Sequence, residues 1–303
     1  MHNVLPEMSS VDARPHSRSG LFGLPLGTLF MEAHSGLSAL IADRSGFEGI
    51  WASGFAISSA KGRRDCGEVS LTELAQVVAE IADVTDLPVL TDADTGFGDY
   101  NNCRLTARHL RRAGARGMVI EDKVSPKANS FLDIDHAMLE IDEFAGRVRA
   151  VKDAMGEDFT LIARTEAFIA GHSLEVALAR AQAYDEAGAD GVFIHTKRPM
   201  SQELQPFLQA FQSPTPLVIA PTMYPDVTFD VFKEMGIAVV LCANHNMRAS
   251  ALAMLETCRQ LRQSACLADI SDRILPISDV FELLDYDELE RSRSRFYPRT
   301  DRR

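Results

Sequence analysis

The 303-residue sequence is 46% hydrophobic and 24% charged, with a formal net charge of −12. That composition is ordinary for a globular chain able to bury a core without disulfides or a structural metal, and the acidic surplus argues against nucleic acid as a partner, because phosphate backbones are bound by basic surfaces. Five cysteines, Cys66, Cys103, Cys242, Cys258 and Cys266, contain no CxxC pair, which disfavours a zinc site or a disulfide framework and favours a reducing compartment.

Residues 1–20 are polar, with scattered Pro and Ser and no apolar centre of a secretory signal, so they are expected to form a flexible tail. No apolar run reaches the length of a membrane span, and a cytoplasmic location is expected. Residues 21–303 are then read as one domain. Short apolar runs at 27–33, 47–51, 88–92, 117–121, 160–164, 191–195, 216–220 and 238–242 predict eight strands. Their nearly continuous hydrophobicity suits parallel strands covered on both faces. Amphipathic stretches such as LTELAQVVAEIADVT and SLEVALARAQAYDEAGAD separate them and read as helices. Gly114, Gly188 and Gly236 recur just before strands, where a left-handed residue ends a helix and turns the chain back. Eight β-then-α units predict an α/β fold, a (β/α)8 TIM-type barrel. The alternative, an open doubly wound sheet, lacks a Gly-rich dinucleotide fingerprint after the first strand. A helix over 246–264 follows the last strand. The final stretch ISDVFELLDYDELERSRSRFY predicts further helix that the barrel does not need.

Catalytic groups of barrel enzymes sit at the C-terminal ends of strands. Here Trp51 and Ser53 follow the second strand, Asp92 and Asp94 the third, Glu121 and Asp122 end the fourth, and Arg164 and Glu166 end the fifth. His195 ends the sixth, and Asn244 and His245 follow the eighth. Asp92, Asp94 and Glu121 in one pocket would repel each other without a cation. Mg²⁺, which takes a few carboxylates plus waters, resolves this. The plainer reading makes Asp92 and Asp94 turn or cap residues ahead of Gly96. Likewise Arg164 is either an anion clamp or a salt-bridge partner, and His195 either a ligand contact or a packed core residue. The loops 51–68 and 121–131 are read as an anion-binding loop and a lid, or as ordinary surface. Taken alone, Asp65 is a solvated loop residue paired with a neighbouring Arg. Cys66 has no evident His partner, and no nucleophile-elbow motif is present.

The segments EAHSGLSALIADRSGFEGIWASGFAISSAKGRRD, TDADTGFGDYNN, IEDKVSPKANSF, ARTEAFIAG and LCANHNMRAS resemble the phosphoenolpyruvate mutase family of the isocitrate lyase superfamily. The likeness runs from about Leu24 to the C-terminal helix. It implies interconversion of phosphoenolpyruvate and phosphonopyruvate with Mg²⁺, in phosphonate biosynthesis. It implies that Asp65 attacks or steers the phosphoryl group, that Asp92 binds Mg²⁺ directly, and that Asp94 and Glu121 act through metal-bound water. Ser53, Gly54 and Phe55 would hold the substrate carboxylate, with Trp51 as a pocket wall. Lys127, Asn129 and Ser130 would sit on the lid, and Arg164 and His195 would bind phosphoryl and carboxylate oxygens. The resemblance further implies a homotetramer or homodimer with exchanged C-terminal helices. Ala52 and Cys66-Gly67 depart from the family pattern without touching these residues. A phosphonopyruvate hydrolase is the nearest alternative. A C–C lyase comes behind it, because the lid stretch VSPKANS holds no Cys or His. A non-catalytic phosphoenolpyruvate sensor would have no use for Asp65.

Overall fold

In the computed structural model, which describes residues 21–297, eight parallel strands follow one another around a closed barrel. They are β1 (Thr28–Ala33), β2 (Gly49–Ala52), β3 (Val89–Asp92), β4 (Gly117–Glu121), β5 (Thr160–Thr165), β6 (Gly191–Ile194), β7 (Leu217–Ile219) and β8 (Val239–Cys242). Each pairs with its sequence neighbours, and β8 closes on β1 through Thr28 opposite Val239. Every run expected to be a strand is one, to within two residues. The open-sheet alternative is excluded by the β1–β8 pairing. The expected tail over residues 1–20 lies outside the described residues.

The helices over the barrel are α1 (Gly36–Arg44), α2 (Gly54–Ala60), α3 (Leu71–Ala82), α4 (Tyr100–Arg112), α5 (Ile141–Met155), α6 (Leu174–Glu186), α7 (Leu204–Ala210) and α8 (Phe229–Glu234). Local chemistry starts several of them. Ser70 and Glu73 form a reciprocal capping box on α3, and Asp99 accepts from the first turn of α4. Gly114, Gly188 and Gly236 have φ of +97°, +95° and +74°, so the recurrent glycines do end helices in the left-handed region. Inside the barrel Phe30, Trp51, Leu90, Val119, Ile162, Phe193, Val218 and Leu241 share one cluster. The opposite strand faces pack on the helices. With both faces covered, β2, β3, β4, β6, β7 and β8 are buried at every residue, which is why no alternation marks them in the sequence.

The chain divides into two compact units, one ending at Met247 and one beginning at Arg248. The second holds most of α9 (His245–Ser264), then α10 (Ile277–Leu283) and α11 (Tyr286–Phe296). The last helical stretch is thus broken in two. Asp285 takes φ +50° and its side chain caps the new helix by accepting from Glu288 N. Asp tolerates the left-handed region and caps helices, a signal that the apolar spacing alone hides.

Candidate active site

β3 ends in Asp92, and the chain then turns sharply with φ of +51° at Asp94, +89° at Gly96 and +61° at Phe97. A Cβ at Gly96 would lie 2.2 Å from Cys103 Sγ, so only glycine fits there. The turn is tied down on several sides. Ala93 N donates to Val119 O (2.9 Å) and Glu121 N to Asp94 O (2.8 Å). Arg147 of α5 donates to Thr95 O (3.0 Å). The two carboxylates converge beside Gly54, the first residue of α2. A Cβ built there would be 3.2 Å from Asp92 Oδ2 and 3.3 Å from Asp94 Oδ1. Ser53 caps α2 by accepting from Ala56 N at 3.3 Å.

Asp65 is not paired with its neighbouring arginines. Arg63 binds Glu73, and Arg64 binds Glu68. The Asp65 side chain is only 7% exposed and receives the lid: Lys127 Nζ lies 3.0 Å from Oδ1 and Asn129 Nδ2 donates to Oδ2 at 2.8 Å. Burial alone would raise its carboxyl. Lys127, then Asn129 and Arg164, overcome that and hold it below the usual carboxylate range. Lys127 also reaches Asp94 Oδ1 at 2.5 Å. Burial pushes the Asp94 carboxyl up to about 7, with Lys127 opposing and Asp92 and Asp65 adding to the rise. Burial disfavours the Lys127 ammonium, but Asp94, Glu121, Asp92 and Asp65 together hold its pKa well above the ordinary value.

A second network forms the floor. Arg164 Nε meets Glu166 Oε1 at 2.5 Å and Glu121 Oε2 at 3.3 Å, and its guanidinium lies 5.0 Å from the Phe193 ring centre. Burial works against its charge, but Glu166, Glu121 and Asp92 outweigh this and raise its pKa, so the guanidinium stays charged. His195 Nδ1 lies 2.7 Å from Glu166 Oε1 and 2.8 Å from Arg164 Nη2. One ring nitrogen cannot serve a carboxylate acceptor and a guanidinium donor at once. The shorter Glu166 contact pairs opposite charge character, which places the proton on Nδ1 and leaves Nε2 as an acceptor. Burial lowers the His195 pKa despite Glu166. Arg164 therefore carries the standing positive charge. Glu166 itself, disfavoured by burial but surrounded by Arg164, His195 and Lys123, is held well below the carboxylate range.

These groups border a pocket with about 550 Å³ of empty space at the C-terminal end of the barrel. Of the residues expected from the sequence, Trp51, Ser53, Phe55, Asp65, Asp92, Lys127, Asn129, Ser130, Arg164 and His195 line it. Gly54, Asp94 and Glu121 are not part of that lining. Phe131, Phe193, Ala220, Thr222, Leu241, Ala243 and Asn244 complete the lining; of these only Asn244 was marked by its strand-end position. Glu166 was marked by its strand-end position but given no role, and Lys123 was read only as part of the lid motif, where its charge was the available signal. Asp122 is structural: it accepts from Tyr184 OH (2.7 Å), Arg180 Nη1 (3.1 Å) and Glu166 N (2.9 Å).

Among the described residues, no three His, Cys, Asp or Glu side chains close around a point as a ready-made metal cage. The donor set nonetheless fits a hard cation held partly through water. Glu121, 1% exposed, accepts no hydrogen bond at either carboxylate oxygen, and Asp92 and Asp94 converge beside Gly54. Lys123 and Arg164 approach Glu121 only to 3.4 and 3.3 Å; buried carboxylate oxygens without hydrogen bonds are costly, and Mg²⁺ with waters satisfies such a set.

The phosphoenolpyruvate phosphomutase family model matches residues 23–262. The phosphoenolpyruvate phosphomutase of Streptomyces hygroscopicus is 44% identical over 273 residues, covering 89% of this chain and 87% of that protein. The crystal structure of the phosphoenolpyruvate phosphomutase from Streptomyces platensis subsp. rosaceus superposes with a TM-score of 0.87 at 39% identity, covering 90% of this chain and 96% of that one. A phosphonopyruvate hydrolase in complex with oxalate and Mg²⁺ is less similar, with a TM-score of 0.82 at 32% identity over 90% of this chain and 94% of the other.

Proposed function

This chain belongs to the phosphoenolpyruvate phosphomutase family, and we propose that it interconverts phosphoenolpyruvate and phosphonopyruvate. The observation that carries this reading is the buried Asp65 carboxylate, held by Lys127 and Asn129 in a pocket lining that it shares with Arg164 and His195. A binding protein for an anion would gain nothing from an added carboxylate. Mg²⁺, held at Asp92 with Asp94 and Glu121 behind bound water, would supply the positive charge that steadies an enolate and its carboxylate. The chain's own groups do the rest. The start of α2 at Ser53–Phe55 offers backbone N–H groups to the substrate carboxylate. Arg164 holds phosphoryl oxygens, and His195 Nε2 accepts a hydrogen bond from a protonated one. An Asp65 oxygen bonds to phosphorus as the P–C or P–O bond breaks, and that electron pair stays on the enolate. The other end of the enolate then takes the phosphoryl group back, releasing Asp65. Lys127, Asn129 and Ser130 close the site so that water does not compete.

Phosphonate biosynthesis in the cytoplasm would follow from this activity. The helices from 248 on, read as an extension of one barrel domain over 21–303, would serve assembly as a homodimer or homotetramer, through exchange of the C-terminal helices. Phosphorus NMR of protein, Mg²⁺ and phosphonopyruvate tests the function. A phosphoenolpyruvate signal is expected. Free phosphate alone would make the chain a hydrolase, and an unchanged spectrum would remove both readings.

A further inference from the structure

The lid has a stem and a tip. Residues 122–124 pair with 137–139: Val124 N donates to Ala137 O (2.9 Å), Leu139 N to Asp122 O (2.8 Å), and Lys123 bridges Met138. The loop between them carries Lys127 and Asn129 to Asp65. Lys123 stands on the stem, yet its side chain is 2% exposed and points to the tip. Its ammonium donates to Ala128 O (2.8 Å) and Ser130 Oγ (2.9 Å) and pairs with Glu166 Oε2 (3.1 Å). Two of the three N–H donors of the ammonium thus go to the tip, and Glu166 supplies the opposite charge. Glu121 Oε1, at 3.4 Å, adds further negative charge.

Ser130 is saturated. Its hydroxyl donates to Glu166 Oε2 (2.5 Å) and accepts from Lys123 and from Arg164 Nη2 (3.1 Å). This arrangement is complete only with the lid down. Lifting the tip would strip Lys123 of two partners and expose a buried ammonium between Glu121 and Glu166 to rearrangement. The two braced points, Ala128 and Ser130, flank Asn129, and Ala128 directly follows Lys127. Bracing them therefore fixes both groups that touch Asp65.

We propose that Lys123 is a positioning residue: it latches the lid by pinning Ala128 and Ser130, and so reserves the phosphoryl group for the enolate. The last clause rests on the function proposed above. With the latch weakened, water reaches phosphorus. Its oxygen bonds to phosphorus, the P–C electron pair takes a proton to become the methyl group of pyruvate, and phosphate leaves. No further reactant is needed.

The test uses Lys123→Met, which keeps the stem of the side chain and removes its donors and charge. Two measurements are paired. Trypsin cleavage after Lys127 reports lid opening without any assumption about the reaction, and should speed up by about tenfold, the scale set by losing hydrogen bonds from a charged donor. The fraction of phosphonopyruvate turnovers ending in pyruvate and phosphate should rise by a similar factor, while KM changes less than kcat. Ser130→Ala should speed cleavage too, and the double variant should fall short of the two effects combined, because the Lys123–Ser130 contact is common to both. Lys123→Gln, which keeps a donor for Ala128 O, should restore part of the protection. Unchanged cleavage in folded Lys123→Met overturns the latch. Loss of folded protein in both Lys123 variants also overturns it, making the residue a folding requirement. Faster cleavage with no rise in hydrolysis overturns the reserve for the enolate. Wild-type protein that does not convert phosphonopyruvate defeats the function instead, and leaves the cleavage result to decide the latch.

Discussion

At the scale of single residues, surroundings decide role. Asp65 sits in a loop with Arg63 and Arg64, yet those arginines bind Glu73 and Glu68, while Asp65 turns inward to Lys127 and Asn129. Asp65→Asn keeps its size and removes its charge. Turnover of phosphonopyruvate should fall by several powers of ten, as for groups that act as a unit with their partners. The Mg²⁺-dependent affinity for oxalate, a mimic of the pyruvate enolate, should change little; both are read from steady-state kinetics and calorimetry. Near-normal turnover would remove Asp65 from the mechanism. His195 gives a pH prediction. Burial depresses its pKa in the folded chain, so the unfolded chain binds the proton more readily. Its stabilising contribution is complete above the ordinary imidazole value of about 6.5 and is lost as pH falls through the folded value. Replacing His195 with Gln should flatten the decline of stability on acidification in that window, measured by urea unfolding at a series of pH values. An unaltered pH slope would contradict the assignment.

At the scale of elements, the turn after β3 aims Asp92 and Asp94. Gly96 has φ +89° and no room for a Cβ against Cys103. Gly96→Ala should cost about 1–3 kcal/mol, the usual range for a non-glycine residue forced into sparse backbone space, with the clash added. It should also weaken Mg²⁺ binding, because the same turn carries Asp94. Denaturant unfolding and calorimetric Mg²⁺ titration check the pair of effects; a stable variant with intact Mg²⁺ affinity would show the turn to be dispensable. Among the carboxylates themselves, Asp92→Asn should lose more Mg²⁺ affinity than Asp94→Asn or Glu121→Gln, since only Asp92 of the three lines the pocket. Equal losses in the three titrations would refute the ranking.

At the scale of the whole molecule, the barrel closes through β1 and β8 and gathers eight strand ends onto one rim. Chelator in excess should abolish turnover, and added Mg²⁺ should restore it; full activity in chelator would sink the metal reading. The second unit behaves differently from the barrel. Ile277, Phe281, Leu284, Leu289 and Phe296 on and beside α10 and α11 are all exposed, Ile277 at 71%. Apolar side chains carried on a segment the barrel does not need suit burial against another copy. Deleting residues 277–303 should yield monomers or insoluble protein, judged by light scattering after size exclusion. A well-folded tetramer lacking the segment would contradict that use of it.

Hydrophobic runs and the glycines between them determined the barrel from sequence alone, because strand period, burial on both faces and left-handed turns are local constraints that each residue type obeys wherever it falls. Position at strand ends marked Asp92, Asp94, Glu121, Arg164 and His195 for the same reason, since closure of any such barrel brings those ends together. Partnership was another matter. That Lys127 rather than Arg64 neutralises Asp65, that Glu166 draws Arg164, His195 and Ser130 into one network, and that Lys123 turns back to brace the lid all depend on approaches between residues up to 64 positions apart. A buried charge takes its energy from whichever opposite charge the fold brings within a few ångströms, and only the tertiary structure decides which one that is. The break at Asp285 shows the limit at the local level too: a helical run of apolar spacing ended because one side chain preferred to cap a new helix.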